Sequence, residues 1–164
     1  MKTMGLTKLV NKGNVWSFLI LFARYPLNLI PTILASYRCV KISNEHYGIL
    51  HHRNNATNAF RHALWNFLIV RKCSAWRRNK RKAIRWAQII TDWHEEFSPN
   101  EPLEKEMDLH NNHIGRKLYI QDNDESIENL VKLLKEKVKN SKLIVKREDL
   151  KKYNNDLVHI ENLV

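Results

Sequence analysis

The chain is short of turn-formers, with four glycines and four prolines in 164 residues. An all-β sandwich or barrel needs regular turn signals along its length, so this scarcity excludes one and favours helices. Cysteine is scarce too. Cys39 and Cys73 stand alone with no C-x-x-C spacing, which argues against a disulfide framework or a redox motif and leaves two reduced thiols. Acid is missing from the first half: residues 1–91 hold 16 Lys or Arg against Glu45 alone, for +15. Residues 92–164 hold 12 basic and 16 acidic residues, for −4, so the net +11 is a difference between unlike halves. A basic half suits phosphate groups of nucleic acid or an anionic membrane, and it equally balances the acidic half within one fold.

Long apolar runs are interrupted. Residues 15–37 form the most apolar stretch, but Arg24, Pro26 and Asn28 break it. A membrane span needs about 20 nearly uninterrupted apolar residues, and Ala35-Ser36-Tyr37 makes a poor signal-peptide cleavage site. Two short helices meeting at Tyr25-Pro26 fit better, because proline disfavours helix in the residue before it and suits a helix start. The expected location is therefore cytoplasmic. Peripheral membrane docking is the alternative, since Trp16, Phe18, Phe22 and Tyr25 accompany Lys8, Lys12 and Arg24. Gly5 and Gly13 discourage helix over residues 1–14.

What is present reads as one mainly α-helical domain over residues 1–164, a bundle with an optional two-stranded element near its C-terminal end. Its length is sufficient to bury a core. Residues 41–55 are polar, with His46, His51 and His52, and read as a solvated loop. Adjacent His51 and His52 point apart on a helix and cannot chelate from one face. Asn55 or Thr57 caps the next helix. From residue 56 to residue 73, Phe60, Leu64, Phe67, Leu68 and Val70 recur near helical spacing. Residues 79–97 and 103–118 read as two further helices, separated by the Pro-rich turn 98–102. Residues 121–164 supply support: an amphipathic helix over 126–140, then short strands at 143–145 and 157–160 around a helical turn.

The chemistry concentrates in residues 56–118. Asn58, His62 and Asn66 fall at i, i+4 and i+8, and so do Asp108, Asn112 and Arg116. Each set makes one polar stripe on a helix. Such stripes are costly to bury unless their members find partners. Asn111 and Gly115 lie on the row beside the second stripe, and Gly115 permits close approach of another helix. His94 and Glu95 lie near the end of the intervening helix.

Two reactive readings fit these residues. In the first, His62, His94 and Asp108 from three antiparallel helices hold a divalent metal that activates water, with Glu95 or Glu96 as base. In the second, a histidine acts as base oriented by Asp108, without metal. In both, Arg61 and Arg116 bind an anion, while Asn66, Asn111 and Asn112 contact the substrate. The expected activity is hydrolysis of a phosphate- or ester-containing compound, small and anionic or lipid-like. There is no H-E-x-x-H and no G-x-S-x-G, so neither zincin chemistry nor a serine nucleophile is expected. A third reading is non-catalytic, with the polar residues locked into a buried network. The eight basic residues of 71–85, interleaved with Trp76 and Trp86, would then dock nucleic acid or anionic membrane. That segment also reads simply as an exposed rim between two helices.

Arg61-His62-Ala63-Leu64-Trp65-Asn66, then His94-Glu95, then Met107-Asp108-Leu109-His110-Asn111-Asn112-His113-Ile114-Gly115-Arg116 resemble an uncharacterised bacterial family with an R-H-A-x-W-N, H-E, M-D-L-x-N-N-x-x-G-R pattern. The closing Leu157-Val158-His159-Ile160-Glu161 resembles that family's C-terminal end. The resemblance implies a small helical domain and brings no activity with it.

Overall fold

The computed structural model describes residues 12–162, of which 16 and 19–162 have placed side chains. Helix α1 (Lys12–Arg24) and α2 (Pro26–Tyr47) do meet at Tyr25-Pro26, with Pro26 at the first turn of α2. A short 3-10 turn, Gly48–His52, leads to α3 (Ala56–Arg77). Then come α4 (Lys80–Phe97), α5 (Pro102–Gln121) and α6 (Ile127–Lys139). No helix among the described residues is long and apolar enough to cross a membrane.

Helix α3 is the hub, packed against α2, α4, α5 and α6. Phe60, Leu64, Phe67, Leu68, Ile69 and Val70 are all buried, which covers several faces of the helix, as a central helix requires. Asn55 caps it as its spacing predicts, accepting from the N–H groups of Thr57 at 2.9 Å and Asn58 at 3.3 Å. Trp86 of α4 is buried and donates its indole N–H to Thr32 of α2 at 2.8 Å. Phe22 and Tyr25 pack their rings on that indole at 5.8 and 5.1 Å, seating α1 on the bundle.

The C-terminal element is a two-stranded sheet. β1 (Lys142–Leu143) pairs in parallel with β2 (Val158–His159), and a 3-10 turn at Arg147–Lys152 lies between them. The tail then bonds to the entry of α3: the amides of Ile160 and Glu161 both donate to the Asn54 carbonyl at 3.0 Å.

Two expectations need correction. Residues 41–55 are not a solvated loop. Helix α2 runs on to Tyr47 because Ala35, Cys39, Ile42 and Ser43 form a narrow buried stripe inside a polar segment. His51 is fully buried, with Nε2 2.8 Å from Asn44 Oδ1. Helix α1 already begins at Lys12 and includes Gly13; the rest of the expectation for residues 1–14 falls at 1–11, outside the described residues.

Candidate functional site

The two polar stripes face each other. Asn58 Nδ2 donates to Asp108 Oδ1 at 3.4 Å, His62 Nδ1 is 3.1 Å from Asn112 Oδ1, and Arg116 Nη1 donates to Asn66 Oδ1 at 2.7 Å. Each rung joins residues 50 apart in sequence. The rungs rise together, so α3 and α5 run parallel, whereas an all-antiparallel set was expected. A Cβ placed on Gly115 would lie 2.1 Å from the Ala63 carbonyl oxygen. This glycine is what lets the two backbones close to ladder distance.

Helix α4 enters the ladder through Thr91 and Glu95, one turn apart and both buried. Asn112 Nδ2 donates to Glu95 Oε1 at 3.0 Å, and Thr91 Oγ1 donates to the Ala87 carbonyl at 2.8 Å and lies 3.3 Å from Asn66 Oδ1. Asn66 Nδ2 donates to Asn112 Oδ1 at 2.6 Å.

This network fixes a tautomer. Arginine only donates, so the group that Asn66 turns to Arg116 is its oxygen. Its amide nitrogen then faces Asn112 Oδ1, and that oxygen requires a donor from His62. Nδ1 therefore carries the proton and Nε2 the lone pair. Nε2 lies 3.0 Å from Arg61 Nη2 and 3.3 Å from Asp108 Oδ1. Arg61 also donates to Asn58 Oδ1 at 2.7 Å, and Asn100 donates to Asp108 Oδ2 at 3.1 Å.

His62, Glu95 and Asp108 are 2%, 1% and 3% exposed. Each offers one ligand atom, and the three atoms lie within 4.8 Å of one another. Glu95 Oε2 is buried without a hydrogen-bond partner. Burial raises the Glu95 carboxyl to about 7 against the pull of Asn112 and Arg61. Burial, reinforced by the neighbouring Glu95, raises Asp108 to about 8. The His62 ring is held well below its usual range by burial and by the Arg61 charge. Two carboxyls flank one imidazole, Asp108 at Nε2 and Glu95 3.5 Å from Nδ1, where ionising both acids is costly, the balance that a divalent cation reverses. One imidazole with two carboxylates suits Zn2+ or Mn2+ better than a soft ion.

The site residues expected from sequence divide. His62, Glu95, Asp108, Asn66, Asn112, Arg116 and Arg61 come together. His94 does not join the three ligand atoms. Adjacent residues on a helix diverge by about 100°, and with Glu95 turned inward, His94 is exposed and packs edge-on against Trp65, ring centroids 5.2 Å apart. The set of converging ligand atoms therefore has Glu95 where His94 was expected. Asn111 is turned away as well. Its Nδ2 donates to the Val158 carbonyl at 2.9 Å and its Oδ1 accepts from the Val158 amide at 3.0 Å, so it clamps β2. Thr91 and Asn100 went unassigned in the sequence. Thr91 had a signal, being four residues before Glu95. Asn100 had none beyond its turn composition.

Arg61 and His62 line a cavity of about 180 Å3 with Ser36, Cys39, Val40, Trp65 and His94, so one edge of the buried cluster meets open space.

A family model described as a domain of unknown function, DUF6973, matches residues 19–142, and the chain belongs to that family. Comparison with curated proteins and with solved structures gives no match.

Proposed function

We propose that this family member is a small metal-dependent hydrolase acting on a phosphate- or ester-containing substrate at His62, Glu95 and Asp108. The observation that carries the reading is the buried three-ligand cluster with an unpartnered Glu95 Oε2. A buried carboxylate oxygen with no donor is costly unless a proton or cation satisfies it. The raised carboxyls supply the same argument energetically.

In the proposed step, a water oxygen bonds to the carbonyl carbon or phosphorus and the bond to the leaving oxygen breaks. The water's proton passes to the carboxylate oxygen of Glu95 that the cation would leave free and then to the leaving oxygen, so the carboxylate is regenerated. A divalent cation held by His62, Glu95 and Asp108 would supply a lowered pKa for that water. Arg61 donates to His62 Nε2 and lines the cavity beside it, where its guanidinium would meet the developing negative charge. His94 stands at the wall of that cavity.

A second reading has one observation in its favour: most polar atoms of the ladder are satisfied internally, as in a network that only locks three helices. Titration with Zn2+ or Mn2+ separates the two. Wild type binds one equivalent, Asp108→Asn and Glu95→Gln lose at least roughly 100-fold in affinity, and only the loaded wild type cleaves p-nitrophenyl phosphates or esters. Failure of wild type to bind either ion refutes the metal reading and leaves the network.

A further inference from the structure

Beside the cavity at Arg61 and His62 lies a second one of about 540 Å3, with Leu29, Ile33, Trp65, Ile90 and Trp93 among its lining. The two share Ser36, Val40, Trp65 and His94. They form one groove that is apolar along most of its length and ends at a guanidinium and an imidazole. Its volume falls within the range of small-molecule sites, which are mostly apolar with a few placed polar groups. Ser36 is fixed in the wall, accepting from the Trp65 indole at 2.8 Å.

The outer side of α1 and α2 is also apolar. Trp16 and Ile20 of α1 and Leu27, Ile30, Leu34 and Tyr37 of α2 are exposed, Leu27 and Ile30 by 57% and 55%. On α2 these four recur at i, i+3, i+7 and i+10, a single stripe. Exposed apolar faces of this extent mark interaction surfaces. The charges on these two helices are mostly basic, the one acid being Glu45 near the end of α2, 4.0 Å from Lys41. Residues 12–44 contain Lys12, Arg24, Arg38 and Lys41 and no acid. Arg24 also lines a pocket with Arg77, Lys82 and Arg85.

We propose that α1 and α2 seat the protein on an anionic lipid bilayer, and that the groove takes one acyl chain of a lipid whose polar end reaches Arg61 and His62. An apolar stripe bordered by cations is the pattern of an interfacial helix, whose binding combines buried apolar area with attraction to anionic lipid. The docking stands on the surface alone. The identity of the polar end as the reacting group rests on the hydrolase reading above.

The test is co-sedimentation of the whole protein with phosphatidylcholine vesicles, with or without phosphatidylglycerol, in low and high salt. Wild type pellets with the anionic vesicles, and less so in high salt. A Leu27→Glu, Ile30→Glu, Leu34→Glu variant loses about tenfold or more of that partition while keeping its unfolding transition. Undiminished binding by the variant overturns the docking, as does equal binding of wild type to both vesicle types. So does a wild-type dimer that the variant turns into monomer without any vesicle binding, since the stripe would then cover a second copy. For the groove, cis-parinaric acid fluorescence rises on wild type and fails to rise on Val40→Trp, which fills the junction of the two cavities. Equal fluorescence on both proteins overturns the chain site. Neither readout uses hydrolysis, so a protein that binds lipid and cleaves nothing would sink the hydrolase reading and leave this one standing.

Discussion

Replacing Gly115 by alanine sets two opposed effects against each other. In an isolated helix the change is favourable by about 1 kcal/mol, because alanine is the better helix former. Here the new methyl would meet the Ala63 carbonyl oxygen at 2.1 Å, with the carbonyl carbon and Cα of the same residue at 2.8 Å. All three are backbone, and no rotamer relieves the clash. Ordinary contact begins at 3.4 Å, so α5 must retreat from α3 by about 1.3 Å. The Asn66–Asn112 bond, 2.6 Å long, would stretch to roughly 3.9 Å and cease to be one. The Arg116–Asn66 and His62–Asn112 bonds cross the same gap. Losing two or three buried bonds at about 1–3 kcal/mol each, together with overpacking at about 1–3 kcal/mol, outweighs the propensity gain. We expect a net loss of about 4 kcal/mol in urea unfolding followed by circular dichroism, a large part of the stability of a domain this size. Zn2+ affinity should fall with it, because the ladder holds His62 against Glu95 and Asp108. An unfolding midpoint equal to or above that of wild type would refute the close-contact account.

Three further outcomes follow from other residues. Arg116→Met removes the donor that orients Asn66, so the two amides and the His62 ring lose their fixed directions. Zn2+ affinity should drop about 10- to 100-fold, and the His62 nitrogens should give mixed tautomer signals in 15N NMR; an unchanged Nδ1-protonated spectrum would show that the network does not fix the tautomer. His51 is buried with Nδ1 unpartnered, and burial followed by the His52 and Arg61 charges lowers it to about 4. Its lowered folded value means the unfolded chain binds the proton more tightly between about pH 6.5 and 4. The contribution is whole above pH 6.5 and fades as pH falls through that window, by at most about 3 kcal/mol. His51→Gln should flatten this part of the pH–stability curve, and an identical slope in the variant would contradict it. Asn111→Ala unclamps β2 and costs about 1–3 kcal/mol, yet should leave Zn2+ stoichiometry at one; a lost site would mean that Asn111 is a ligand-shell residue after all.

The residues show where sequence was sufficient. The i, i+4, i+8 spacing of Asn58, His62, Asn66 and of Asp108, Asn112, Arg116 was enough to place two stripes, and the glycine beside one of them was enough to suggest a close approach. Periodicity fixes which residues share a face, but it cannot say which face of α4 turns inward. His94 and Glu95 were equally eligible, and only the packing of Thr91 and Glu95 into the ladder decided between them. Helix direction was equally invisible: two hairpin turns in succession make α3 and α5 parallel, which the spacing does not encode. The polar stretch 41–55 misled because the buried edge of α2 that runs into it, Ala35, Cys39, Ile42 and Ser43, is made mostly of small side chains. They leave almost no apolar signal. Asn111 misled in the opposite sense, because an amide within a reactive cluster satisfied a strand instead.

The bonds from Ile160 and Glu161 to Asn54 tie the end of the described chain to the residue before the α3 cap. Asn58, first rung of the ladder, lies one turn further on. A ribosome emits these partners more than a hundred residues apart. The stripes of α3 and α5 can meet once α5 has emerged, but the turn that carries Asn58 gains its last restraint only when the tail arrives. Assembly of the ladder is thereby coupled to synthesis of this segment. A chain stalled after α6 would carry every ladder residue and still hold Asn58 loosely.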